Sequence, residues 1–157
     1  MTAVEGARPA DTVSVLTHRM GLQDANLAGN VHGGWIMKLC DDVAAIAATR
    51  LAGGRVVTAR LDSVTFRCPV HVGDLVTLSA TVNASWRTSM EVGVRVEAEN
   101  VRTGQIRHVC TAFATMVALG DDDRPTPLPR VVPETPDEQR RCADAHRRRD
   151  LRLAESP

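Results

Sequence analysis

The run Asn30-Val31-His32-Gly33-Gly34-Trp35-Ile36-Met37-Lys38-Leu39-Cys40-Asp41-Asp42, continued by Val43-Ala44-Ala45-Ile46-Ala47-Ala48-Thr49-Arg50, decides how the rest of the chain must be arranged. A polar loop ends in two glycines. From Trp35 to Leu51 there is neither Pro nor Gly, and Ala, Leu, Ile and Met dominate, which favours a helix. At ~100° per residue, Ile36, Leu39, Cys40, Val43 and Ala47 form one apolar stripe. Ala44, Ala45 and Ala48 cover much of the remaining circumference, so other elements can close on this helix from most sides. Such a helix belongs in the middle of something. Asp41 and Asp42 break the pattern. Lys38 and Asp42, four apart, can pair on the outer face. Asp41 falls on the opposite flank, beside Met37, Ala44 and Ala48. Periodicity leaves each acid either a solvated flank residue or a working group.

A chain of 157 residues is most simply one domain with a real core. Its Lys and Arg (19) and its Asp and Glu (19) cancel, so no overall field recruits nucleic acid or a membrane surface. No apolar run approaches spanning length, and Met1 to Ala10 lacks the basic-then-apolar order of a signal peptide. Cys40, Cys68, Cys110 and Cys142 are widely spaced in apolar or helical sequence, unlike a metal site or a secreted disulfide framework. The expected setting is cytoplasmic, with reduced thiols. Aromatics are few (Trp35, Trp86, Phe66, Phe113, no Tyr), which argues against a base-stacking platform.

Residues 1–10 read as a flexible leader. Thr12 to Met20 alternates Val13 and Val15 with polar neighbours, as a strand does. Gly21 to His32 is loop, and Gly53-Gly54 ends the helix. Arg55 to Phe66 is one long strand or two, interrupted by Pro69, with a turn at Gly73-Asp74. Leu75 to Ala84 has the mixture of a half-buried strand. Met90 to Ala98 alternates most clearly: Met90, Val92, Val94, Val96 and Ala98 inward, charges outward. Ile106 to Leu119 is apolar on both faces around Cys110 to Val117, the pattern of a central strand. Residues 121–134 form a Pro-rich linker. Thr135-Pro136-Asp137-Glu138 is a capping box opening a charged C-terminal helix over 135–157, acidic early and basic late.

The main domain, 11–120, thus orders strand, loop, long apolar helix, then strands joined by short turns. Short turns imply antiparallel pairing, and the helix is the element able to cover the sheet. The fold class is α+β: a curved antiparallel sheet wrapped around one central helix, the hotdog arrangement. The stretch Ala25 to Asp41 resembles the cytosolic acyl-CoA hydrolases of the hotdog thioesterase superfamily, both the two-domain animal brain form and its single-domain bacterial relatives. The resemblance continues through Arg60-Leu-Asp-Ser-Val-Thr-Phe66, Val72-Gly-Asp74, Ser89-Met-Glu-Val92, Glu99-Asn-Val-Arg-Thr-Gly104 and Val132-Pro-Glu-Thr-Pro-Asp-Glu138. It covers nearly the whole chain beyond about residue 12. Its most specific part is Asn-Val-His-Gly-Gly with an acid eight residues after the first Gly.

The resemblance implies hydrolysis of a fatty acyl-CoA thioester to fatty acid and CoA. It matches the family's catalytic pair to Asn30 and Asp41, contributed by opposite halves of a double-hotdog dimer. In the two-domain animal enzyme that pair is split between domains. Here one chain carries both, which implies a homodimer with two equivalent sites, and relatives form trimers of dimers (hexamers). The geometry is compatible, since Asp41 lies ~10 Å along the helix from Gly34. Backbone N–H groups of Gly34 and Trp35 are the expected donors to the thioester carbonyl, at the positive end of the helix dipole. Gly33 and Gly34 would let that carbonyl approach. Asp41 would serve as general base on water or as nucleophile, and Asn30 would orient water or thioester. His32 and Met37 would flank the substrate, its acyl chain lying near Met37, Cys40 and Ala44. Arg87, Thr88 and Ser89 in a turn, and Arg60 on its strand, are candidates for the CoA phosphates. No metal or separate cofactor is expected, coenzyme A being part of the substrate. Two other readings stand beside this one. A hydratase or dehydratase would use His32 with Asp41, but the His-Phe-Pro type loop is missing. A non-enzymatic acyl-CoA sensor would carry a DNA-binding segment, for which the ten residues before the first strand leave no room.

Overall fold

The computed structural model describes residues 6–156. Its elements are β1 (Ser14–Arg19), α1 (Gly33–Ala52), β2 (Val56–Leu61), β3 (Leu75–Ser85), β4 (Ser89–Glu99), β5 (Ile106–Ala118) and α2 (Pro136–Glu155). All five strands lie in one antiparallel sheet ordered β1-β3-β4-β5-β2, curled round α1 in the hotdog arrangement.

The expected stripe of α1 is the buried one. Ile36, Leu39, Cys40, Val43, Ala44, Ala47 and Ala48 are all buried. They meet the inward rows of β3 (Val76, Leu78, Ala80, Val82), β4 (Met90 to Ala98, alternate residues) and β5 (Cys110, Ala112, Ala114, Met116). Gly53 ends the helix at φ 66°, and its N–H closes on the Thr49 carbonyl at 2.8 Å. Only a residue tolerant of the left-handed region can do this cheaply. β4 is the middle strand, and β5 is flanked on both sides by β4 and β2.

Several expectations change. The strand after the helix stops at Leu61, so 62–74 runs without named strand structure. On β1 the inward row is Ser14, Leu16 and His18, with Ser14 the most buried of the three. The Ser14 hydroxyl donates to the Thr12 carbonyl and accepts from Arg50 Nε, whereas Val13 and Val15 are exposed. The leader expectation falls partly outside the described residues. Within them, Ala7 pairs with Val131, its N–H on the Arg130 carbonyl at 2.8 Å. The Pro-rich segment is also fastened down: Ser85 Oγ donates to the Pro129 carbonyl and accepts the Val131 N–H. Finally, Glu91 on β4, expected in water, is fully buried, because α2 crosses the outer face of the sheet and sets Arg148 against it at 2.7 Å.

Candidate active site

Two polar clusters flank α1, one before its first turn and one about two turns along. The loop ahead of the helix is pinned by backbone bonds: Asn26 N–H to the Asn30 carbonyl, Val31 N–H to the Val70 carbonyl, His32 N–H to the Asp24 carbonyl. Asn30 is half-buried, and its Oδ1 lies 3.3 Å from His71 Nδ1. Asp74 steadies His71, its carboxylate accepting the His71 N–H at 2.9 Å and Arg107 Nη2 at 2.6 Å. Asn26 makes a turn of its own, with Oδ1 accepting the N–H groups of Ala28 and Asn30. Both asparagines line one cavity of about 420 Å³ with Gly33, Ile36, Phe66 and Val70.

The second cluster is Asp41 and Thr58. The Thr58 hydroxyl donates to Asp41 Oδ1 at 2.5 Å. Thr58 reaches inward by strand alternation, two residues after Val56 and opposite the buried Met116; only beyond it does the register of β2 against β5 shift, between Thr58 and Arg60. The bulge leaves Thr58 beside Met116 on the core side and turns Arg60, which simple alternation would point inward, opposite Thr115 on the outer side. Asp42 pairs with Lys38 at 2.6 Å, as their spacing predicts. Asn30 and Asp41 do not share the cavity, so one protomer holds them in separate places.

Other site expectations need correction. His32 caps the helix: its Nδ1 accepts the Gly34 N–H at 2.9 Å. The Trp35 N–H is spent on the His32 carbonyl at 3.0 Å. Neither is open to a thioester, whereas the Gly33 N–H has no acceptor among the described residues and borders the asparagine cavity. A Cβ on Gly33 would stand 3.4 Å from the Phe66 ring, in ordinary contact. Arg60 sits on the outer face with Asp62 and Glu155, on the side of the sheet away from Asp41. In the Trp86–Ser89 turn, Arg149 of α2 stacks on Trp86 and donates to Ser89 Oγ, and Thr88 accepts the Ala118 N–H through its carbonyl. Arg87 stays exposed. Cys40 and Ala44 are core residues, so of the three expected acyl contacts only Met37 has an exposed side chain. Hydrogen bonding to the neighbouring Cys110 and burial raise the Cys40 thiol, making it inert rather than nucleophilic. Thr58, His71 and Phe66 were not anticipated.

Residues 28–105 match the family model described as the thioesterase superfamily. Protein VdlD of Helicobacter pylori is 39% identical over 128 residues, covering 82% of this chain and 73% of that one. The cytosolic acyl coenzyme A thioester hydrolase of Rattus norvegicus is 40% identical over 130 residues, but this chain spans only 34% of its length. Among solved structures, an apo-hexameric acyl-CoA thioesterase superposes with a TM-score of 0.91 at 35% identity, covering 95% of this chain and 96% of that one. The acyl-CoA hydrolase of Staphylococcus aureus, solved with butyryl coenzyme A, coenzyme A and coenzyme A disulfide, gives 0.88 at 32% identity, with coverage of 94% and 90%. The chain belongs to the thioesterase superfamily, as a hotdog enzyme of its acyl-CoA thioester hydrolase group. No helix among the described residues is long and apolar enough to cross a membrane.

Proposed function

We propose that this chain hydrolyses fatty acyl-CoA to free fatty acid and CoA at a site completed by a second copy, in the cytoplasm and without a metal or separate cofactor. Asp41 is the reactive carboxylate. The observation that carries this is its placement: beside the buried stripe of α1 it is half-exposed and held by one hydroxyl, with lone pairs left over for water, whereas Asp42 is taken up by Lys38. Asp41 then either takes a proton from water as that water attacks the carbonyl carbon, or attacks directly to form a mixed anhydride that water afterwards hydrolyses, freeing the fatty acid and restoring the carboxylate. The carbon–sulfur bond breaks, and the CoA thiolate leaves and takes up a proton. The Gly33 N–H, at the positive end of α1, stabilises the oxyanion.

The asparagine comes from the partner. β2 is an edge strand with one side unpaired, and Met37, Ile46 and Val57 are exposed. A second copy packed antiparallel against this edge would bring its pre-helix loop to Asp41. Hexameric relatives support a trimer of such dimers. Asn30 was the sequence choice, and Asn26 now competes with it. In the Staphylococcus aureus enzyme, variants were solved with alanine in place of an asparagine, an aspartate fifteen residues later and a threonine seventeen residues after that. Here those spacings select Asn26, Asp41 and Thr58.

The test is release of CoA thiol from a panel of acyl-CoAs by wild type and by Asp41→Ala, Asp42→Ala, Asn26→Ala and Asn30→Ala. Wild type should be active, Asp42→Ala near normal, and Asp41→Ala and one asparagine variant inactive. Mixing those two inactive variants under subunit exchange should restore activity. Full activity in Asp41→Ala would end this reading.

A further inference from the structure

β2 is short, largely exposed, unpaired on one side and bulged in the middle, yet it carries the hydroxyl that holds Asp41. A bulge disrupts the ladder locally, so the strand needs an anchor elsewhere. That anchor is the residue directly after it. The Asp62 N–H donates to the Phe113 carbonyl at 3.0 Å, and Asp62 Oδ2 accepts Arg152 Nη1 of α2 at 2.8 Å. Arg60 Nε stands 3.2 Å from the other carboxylate oxygen, an ion-pair contact.

Arg152 is itself fixed. It reaches Glu91 Oε2 at 3.2 Å through the same nitrogen, and Glu91 also takes Arg148 at 2.7 Å and Asn83 Nδ2 at 3.2 Å. Glu91 is 0% exposed, and buried charge must be paired where it lies. Arg148 also stacks its guanidinium 3.6 Å above the Phe113 ring, on the residue whose carbonyl receives Asp62. The network therefore ties α2, β4 and β5 together and ends on Asp62, four residues after Thr58.

We infer that Asp62 is a positioning residue: clamped by Arg152 from the outer face, it sets the end of β2 and so the Thr58 hydroxyl that orients Asp41 on the inner face. This rests on the reading of Asp41 as the reactive carboxylate. Asp62→Ala is the clean cut, because Arg152 keeps Glu91 as its partner. Without the clamp, the stretch from Ala59 to Asp62 can rotate about the bulge, and displacements near 1 Å at a reacting group cost up to about a hundredfold in rate.

The experiment measures CoA-thiol release by the full chain carrying Asp62→Ala, Thr58→Val, both together, and Asp62→Asn. Asp62→Ala should lower kcat about tenfold or more with KM nearly unchanged. It should add nothing in the Thr58→Val background, since both act through one hydroxyl. Asp62→Asn, which keeps an acceptor oxygen for Arg152, should recover most of the loss. Wild-type kcat in Asp62→Ala, or losses that multiply in the double variant, would overturn the assignment. If Asp62→Ala does not fold, Arg152→Lys, which cannot span both acids, carries the same expectation, and an undiminished kcat there overturns it equally. Asp41→Ala run alongside separates the two failures: if it stays active, the reactive carboxylate was misassigned, whatever Asp62 does.

Discussion

Asp41 and Glu91 are carboxylates on opposite sides of one sheet, and their surroundings could hardly differ more. Glu91 is wholly buried and receives Asn83, Arg148 and Arg152. Its oxygens have nothing left to offer a substrate. Asp41 is half-exposed and bonded to one threonine hydroxyl, beside an unpaired strand edge. A saturated buried acid rigidifies; an acid with one bond and spare lone pairs can hold water and take its proton. Burial alone would have singled out the wrong carboxylate.

Exchanging the roles by mutation tests that contrast most strongly. Asp41→Asn should reduce kcat about a thousandfold with an unchanged melting temperature. Glu91→Ala should do the opposite, costing about 3–5 kcal/mol in urea unfolding by leaving Arg148 without its buried partner. The folded fraction of that variant should lose far less kcat than Asp41→Asn, its effect limited to what a loosened Arg152 passes to Asp62, and a Glu91→Ala protein that is stable but inactive would erase the distinction. Gly93 sharpens the outer half of the comparison. A Cβ there would lie 2.7 Å from Asn83 Nδ2, the amide that serves Glu91. Gly93→Ala should therefore cost about 1–3 kcal/mol while leaving kcat alone.

A smaller effect is expected where α2 begins. The Glu138 carboxylate accepts the N–H groups of Glu134 at 2.8 Å and Thr135 at 3.1 Å, which holds its pKa below the ordinary 4.5. A group depressed on folding stabilises above its unfolded pKa, and that contribution disappears as pH falls through the folded value. Wild type should therefore exceed Glu138→Gln in urea midpoint at about pH 6, and the gap should close below about pH 4. A gap that widened in acid would contradict the sign. The smallest change expected is none: incubation with a chelator should leave the hydrolysis rate where it was, and a rate restored only by added divalent cation would put a metal into the Asp41 site.

What could be read from the chain follows the range of the forces involved. The span of α1, its buried stripe, the Gly53 stop, the alternation of β4 and the capping box at Thr135 all depend on residues within a turn or two of one another. The pairing of Lys38 with Asp42 is of the same kind. The His32 cap was equally local. A side chain able to accept a hydrogen bond stood just ahead of the glycines, and it consumes the Gly34 N–H that was expected to serve the substrate. The companion of Asp41 was out of reach. Thr58 is seventeen residues away on another element, and the two meet only when β2 packs beside α1. The bulge that follows Thr58 turns Arg60 away from the site.

The sequence by itself determined the central helix, the antiparallel strands that must cover it, and the acid that interrupts its apolar surface, because periodicity and capping are written in neighbouring residues. Only the tertiary structure decided which carboxylate is saturated and which is left open, which side chain meets Asp41, and how α2 reaches across the sheet to Asp62. Those outcomes depend on groups far apart in the chain competing for the same hydrogen bonds, and that competition is resolved only when the sheet has closed around the helix.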